Sequence, residues 1–119
     1  MNVTCPGKVS VNDGRYLLSH CAIGMIPFTG GRFNDAINPV KMYAYALLGK
    51  PIVGTSVREL VSRPDIVTTA QTPEGFSAAV AAAVKLSQVP EINQALIAFA
   101  QSNTWEIRAE QAWQHIKNL

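Results

Sequence analysis

The sequence predicts an α/β fold: a small parallel sheet, helices on both faces in a three-layer arrangement, and a helical tail at the C-terminal end. Three observations predict it. Asn38–Ser56, NPVKMYAYALLGKPIVGTS, reads as helix, tight turn, strand and new helix start in quick succession. Ala22–Phe28, AIGMIPF, is a continuous apolar run ended by a proline, which is how a parallel strand buried on both faces reads. Beyond Thr72 the chain is rich in helix formers, with prolines at helix starts and no further strand-like run.

A length of 119 residues gives one domain, residues 1–119, large enough to bury a core. With 48% apolar and 15% charged residues the chain belongs to the globular class rather than the disordered one. No apolar run approaches the roughly 20 residues of a membrane span. The opening MNVTCPGKVS has no hydrophobic signal region, so a cytoplasmic location is expected. A net charge of +2 does not argue for nucleic acid. Between Arg32 and Arg63, five basic residues stand against two acidic ones, Asp35 and Glu59. That local excess suits a phosphate-bearing ligand, although a solvated surface is the commoner cause of such a bias. Cys5 and Cys21 form no C-x-x-C pair and have no histidines at ligand spacing, so two half-buried free thiols are expected, and no metal site or cofactor.

In chain order, Val3–Val9 around Pro6-Gly7 predicts a short strand and turn. Arg15–Cys21 predicts a short helix capped by Asn12 or Asp13. Ala22–Phe28 is a central strand, and the polar loop Thr29–Ile37 lies at its carboxyl end, where ligands collect in open α/β sheets. Asn38 is the expected N-cap of the next helix, with Pro39 at its first position. Val40, Tyr43, Ala44, Leu47 and Leu48 make one face of that helix apolar. Gly49 supplies a left-handed stop and Pro51 prevents the helix from restarting. Ile52-Val53 opens the next strand, and Ser56-Val57-Arg58-Glu59 has the spacing of a capping box. Asp65–Ala70 is an expected edge strand. Thr72 caps a helix through the alanine-rich Ala78–Val84 stretch, and Pro90 starts another reaching about Gln101. Asn103 is the expected cap of the last helix, with Trp105, Ile107, Ala112 or Trp113, and Ile116 as its inward stripe.

These residues resemble a known family. AIGMIPF, NPVKMYAYALLGKPIVGTS and the late TWEIRAEQ are similar to the closing half of the C-terminal domain of GT-B glycosyltransferases. The family pattern P-x-K-x-x-E-Y-x-x-x-G-K-P-V-V is met by Pro39, Lys41, Tyr45, Gly49, Lys50, Pro51, Ile52 and Val53, and its Ser/Thr-Trp-Glu element by Thr104, Trp105 and Glu106. The resemblance implies a partial Rossmann-like, donor-binding half-domain that holds a nucleoside diphosphate sugar at a helix terminus. There backbone N–H groups and the helix dipole favour an anion. It points to Asn38, Pro39 and Val40 as that terminus, with Arg32 and Lys41 as charge partners. The two glutamates that the family sets against ribose and sugar are replaced by Ala44 and Ala36, and Asp35 is the nearest remaining carboxylate. The family's acceptor domain and the first strands of its donor domain have no counterpart in this sequence.

No residue is placed as a general base. His20 and His115 sit among apolar neighbours on helices, so no catalytic residue is expected and no turnover by this chain alone. A second reading is a non-catalytic interaction or assembly module that kept the fold and lost the donor site. Strands missing beside Ala22–Phe28 would leave an open sheet edge, so a homo-oligomer joined through Val3–Phe28 is also expected.

Overall fold

The strand Ile52–Thr55 lies at the centre of the sheet, and the rest of the chain is arranged around it. The computed structural model describes residues 2–119. In chain order the elements are α1 (Val11–Ser19), β1 (Gly24–Ile26), α2 (Arg32–Asp35), α3 (Val40–Leu47) and β2 (Ile52–Thr55). They continue with α4 (Arg58–Val61), β3 (Val67–Ala70), α5 (Pro73–Leu86), α6 (Pro90–Gln101) and α7 (Trp105–Lys117). The sheet order is β1-β2-β3 and every pairing is parallel, with Gly24 opposite Ile52 and Ile52 opposite Val67. The architecture is mixed α/β with a small open sheet.

Successive strand residues point to opposite faces, and Ile52 and Val53 are both buried, so β2 is covered on both sides. β1 differs from the expectation for Ala22–Phe28. Gly24 and Ile26 are buried but Met25 is 49% exposed, so one face of this strand is open, and it is an edge rather than a centre. Its apolar run reflects proximity to the core on one side and packing with α3 on the other end. Gly24 is required there, because a Cβ would run into the Tyr45 ring. The predicted strand Val3–Val9 is absent: no partner strand lies beside it, and residues 2–10 are exposed irregular chain.

The helix starts differ in detail from the sequence expectations. Ser10, not Asn12 or Asp13, caps α1, with its Oγ accepting from the Asp13 N–H at 3.1 Å and donating to the Asp13 carboxylate at 2.7 Å. Pro39 rather than Asn38 is the cap residue of α3, and no side chain bonds to that terminus. Val57 rather than Ser56 caps α4, so the S-x-x-E spacing forms no capping box. Thr104 rather than Asn103 caps α7, accepting from the Ile107 N–H at 3.3 Å. Thr72 caps α5 as expected. The α3 stop is a Schellman turn: Gly49 has φ +66°, its N–H reaches the Ala46 carbonyl and the Lys50 N–H reaches that of Tyr45. Asn93 of α6 donates to the Gly49 carbonyl at 2.6 Å, and so locks the turn to α6.

The core joins Ile26, Met42, Ala46, Ile52, Val57, Leu60, Ile66, Val67, Leu96 and Ala100. α3 therefore buries Met42 and Ala46, while Val40 and Leu47 of the expected inward stripe are 71% and 55% exposed. In α7 no residue is buried, and the expected inward stripe Trp105, Trp113 and Ile116 faces solvent. Both patterns are amphipathic as read, but of the expected α3 face only Tyr43 packs on the core, and the expected α7 stripe stays exposed. Cys5 and Cys21 are exposed free thiols rather than half-buried ones. No helix among the described residues is long and apolar enough to cross a membrane.

Candidate functional site

Two cavities bear on the expected site. The first, of about 360 Å³, opens at the carboxyl ends of the three strands. Phe28 and Gly30 come from the end of β1, Thr55, Ser56 and Val57 from that of β2, and Ala70 and Gln71 from that of β3. The Thr55 hydroxyl donates to the Phe28 carbonyl at 2.6 Å, which ties two strand ends together at the floor. This is the crevice at which open parallel sheets bind ligands.

The second cavity, of about 500 Å³, lies between α3 and the start of α7. Asn38, Val40, Ala44 and Leu47 line one wall, Thr104, Trp105 and Glu106 the other, and Arg15 of α1 reaches the rim. Its walls are mainly apolar, with a few polar groups, as in many small-molecule sites. An ordered network forms its base. Arg108 donates to the Tyr43 hydroxyl at 2.6 Å and to the Asn103 side-chain oxygen at 3.2 Å, and lies over the Tyr43 ring. Tyr43 stacks on Phe99 with ring centroids 5.6 Å apart, and Arg63, paired with Glu59 at 3.0 Å, lies over the Phe99 ring. Glu106 carries a carboxyl held below its usual value, because its own backbone N–H and the Thr104 hydroxyl favour the ionised form.

The predicted site residues divide. Asn38 and Val40 line the larger cavity; Arg32, Asp35, Pro39 and Lys41 line neither. Pro39 is buried, whereas Arg32 and Lys41 are exposed, and the Glu59–Arg63 pair is the one ion pair among the described residues. Asp35 is engaged structurally: its Oδ1 accepts from the Arg58 N–H at 3.1 Å, satisfying one orphan donor at the start of α4. Tyr43, Asn103 and Arg108 are not among the predicted site residues: Tyr43 was expected only on the apolar face of α3 and Asn103 only as the cap of the last helix. Arg108 lies inside TWEIRAEQ, but its partner Tyr43 is 65 residues away, and no local pattern joins them. Among the described residues no group of three or more His, Cys, Asp or Glu side chains is placed to hold a metal ion.

Compared with protein-family models, curated proteins and solved structures, the chain matches none.

Proposed function

We propose that the chain is the donor-side portion of a GT-B-type glycosyltransferase, holding a nucleoside diphosphate sugar along α3 and catalysing no transfer by itself. One observation carries this reading. Of the three segments that carry the family resemblance, two contribute to one cavity although they are distant in sequence: Asn38–Ser56 through Asn38, Val40, Tyr43, Ala44 and Leu47, and TWEIRAEQ through Thr104, Trp105, Glu106 and Arg108. Val40 and Ala44 give an apolar wall for a base or ribose. The α3 terminus, with Arg32 and Lys41 in solvent nearby in sequence, favours the diphosphate.

Affinity should be weak, about millimolar, because a helix terminus and exposed cations supply only a few kcal/mol. Titration with uridine or guanosine diphosphate, followed by backbone amide shifts, should move the resonances of Thr29–Lys41 and Thr104–Arg108 together. No movement at millimolar ligand would reject the reading.

A second reading, a non-catalytic assembly module, is favoured by Ala36 and Ala44. Neither side chain can accept a hydrogen bond, and the loss of two bonds to charged groups removes about 1.5–3 kcal/mol each. Replacing Ala44→Glu should strengthen nucleotide binding if the donor reading holds. An unchanged titration would favour the assembly module.

A further inference from the structure

The strongest unexplained feature outside the cavities is the apolar stripe of α7. At 100° per residue, Trp105, Ala109, Ala112, Trp113 and Ile116 fall within about 100° of one another on the helix circumference. Trp105 is 80% exposed, Trp113 52% and Ile116 56%. The stripe begins at Trp105, which lines the cavity together with Val40 and Leu47 of α3. We infer that this face is the seam of a homodimer, in which the α7 helices of two copies pack antiparallel across a two-fold axis.

Three observations favour a second copy as the occupant. The first is charge. Glu106 lies in the first turn of α7 and Lys117 in the last, both on the same flank of the stripe. Antiparallel pairing brings the same flanks of two helices together, so Glu106 of each copy meets Lys117 of the other. The ends of the two helix dipoles are also opposed. The second is size. The two indoles offer roughly 250 Å² per copy. With Ile116 and the stems of the flanking polar residues, the surface is a few hundred Å² per copy and one helix wide, which a second α7 covers as a small, weak interface. The third is symmetry: a stripe centred near Gln111 is self-complementary when reversed, with Trp105 of one copy beside Ile116 of the other, and such isologous contacts close without further growth.

The open edge of β1 is a poorer seam. It is three residues long, and the next residue, Pro27, has no N–H to donate. The outward carbonyl of Met25 already accepts from the Tyr45 hydroxyl at 3.4 Å.

The chain has two tryptophans, both on the stripe, so its own fluorescence reports the contact. At about 100 µM, sedimentation should give twice the 12.9 kDa chain mass, and dilution should shift tryptophan emission to the red as monomers form. Trp113→Glu should weaken association about thirtyfold or more, with far-ultraviolet circular dichroism unchanged, since the side chain is exposed in the monomer. Lys117→Glu should weaken it about threefold to tenfold, and adding Glu106→Lys should restore it. Met25→Arg should leave the dimer intact. A monomer at 100 µM would overturn the inference. So would a dimer that Met25→Arg dissolves and Trp113→Glu does not, or emission independent of concentration.

Discussion

Met42 and Val40 sit two residues apart on α3 and have opposite fates. Met42 is fully buried against the sheet, whereas Val40 faces the cavity. Met42→Ala should therefore cost about 2–5 kcal/mol, the usual range for truncating a core side chain. Val40→Ala should fall within about 0.5 kcal/mol of neutral, as surface changes do. Equal losses for the two in urea unfolding would mean that the helix is rotated from the orientation described. Tyr45 offers a second test at the same scale. Burial, with the charge interaction of the nearby Cys21 adding to it, raises the Tyr45 phenol above its ordinary value. A folded-state pKa above the unfolded one means that the folded chain holds this proton more tightly. The resulting stability is fully present below about pH 10 and is lost as pH rises through the folded value. The stability of wild type relative to Tyr45→Phe should thus be constant from pH 7 to 9 and decline in more alkaline solution. A difference that stays flat to pH 11 would show that the phenol is not held in this way.

Helix ends show how a polar side chain can be claimed by the fold. Asp35 crosses from α2 to the first N–H of α4, and this is the sole side-chain bond to that terminus among the described residues. Removing it in Asp35→Ala should cost about 0.5–2 kcal/mol, the usual worth of an N-terminal cap, while Asp35→Asn should keep most of it because the amide oxygen still accepts. Thermal denaturation separates the two; an Asp35→Ala variant as stable as wild type would free Asp35 for a ligand. Elements with local signals were legible in the sequence: the Gly49-Pro51 stop, the Thr72-Pro73 start, the strand at Ile52 and the start at Pro90 all lie where the residues place them. The caps of α3, α4 and α7 were legible only to within a residue, because Asn38 and Pro39, or Asn103 and Thr104, are adjacent candidates, and that of α1 was missed by two residues or more, Ser10 competing with Asn12 and Asp13. Which apolar face turns inward was not legible. Val40-Ala44-Leu47 and Met42-Ala46 are both apolar sets, and only tertiary packing against β1, β2 and α6 selects the second. Of the residues around the larger cavity, Asn38 and Val40 stand in a segment that the sequence marks locally, while Tyr43 and Arg108 meet through a contact between distant segments that leaves no local trace.

At the scale of the molecule, the chain is more extended than a sphere. Its radius of gyration is 15.6 Å, against about 13.5 Å for a compact chain of this length. Among the described residues neither α1 nor α7 packs broadly on another element. α1 is anchored where Lys50 Nζ donates to the Ser19 carbonyl at 2.8 Å, and α7 where Arg108 reaches Tyr43 and Asn103. Local opening free energies follow the density of such contacts. Hydrogen exchange at sub-micromolar concentration should therefore be slowest in β2, α3 and α6, and fastest in α1 and in α7 beyond Glu110. Protection of α7 equal to that of β2 under those conditions would contradict this arrangement.

The order of the strands also has a consequence in time. β2 pairs with β1, which is made before it, and with β3, whose Val67 follows Ile52 by fifteen residues. At the ~5–20 residues per second of protein synthesis, the second edge of β2 waits about one to three seconds for its partner. During that interval Ile52-Val53 is the most adhesive part of the nascent chain, and Lys50 and Pro51 immediately before it are the residue types that discourage a foreign strand from joining. Lys50→Val should consequently raise the aggregated fraction during synthesis more than it changes the melting temperature of the finished protein.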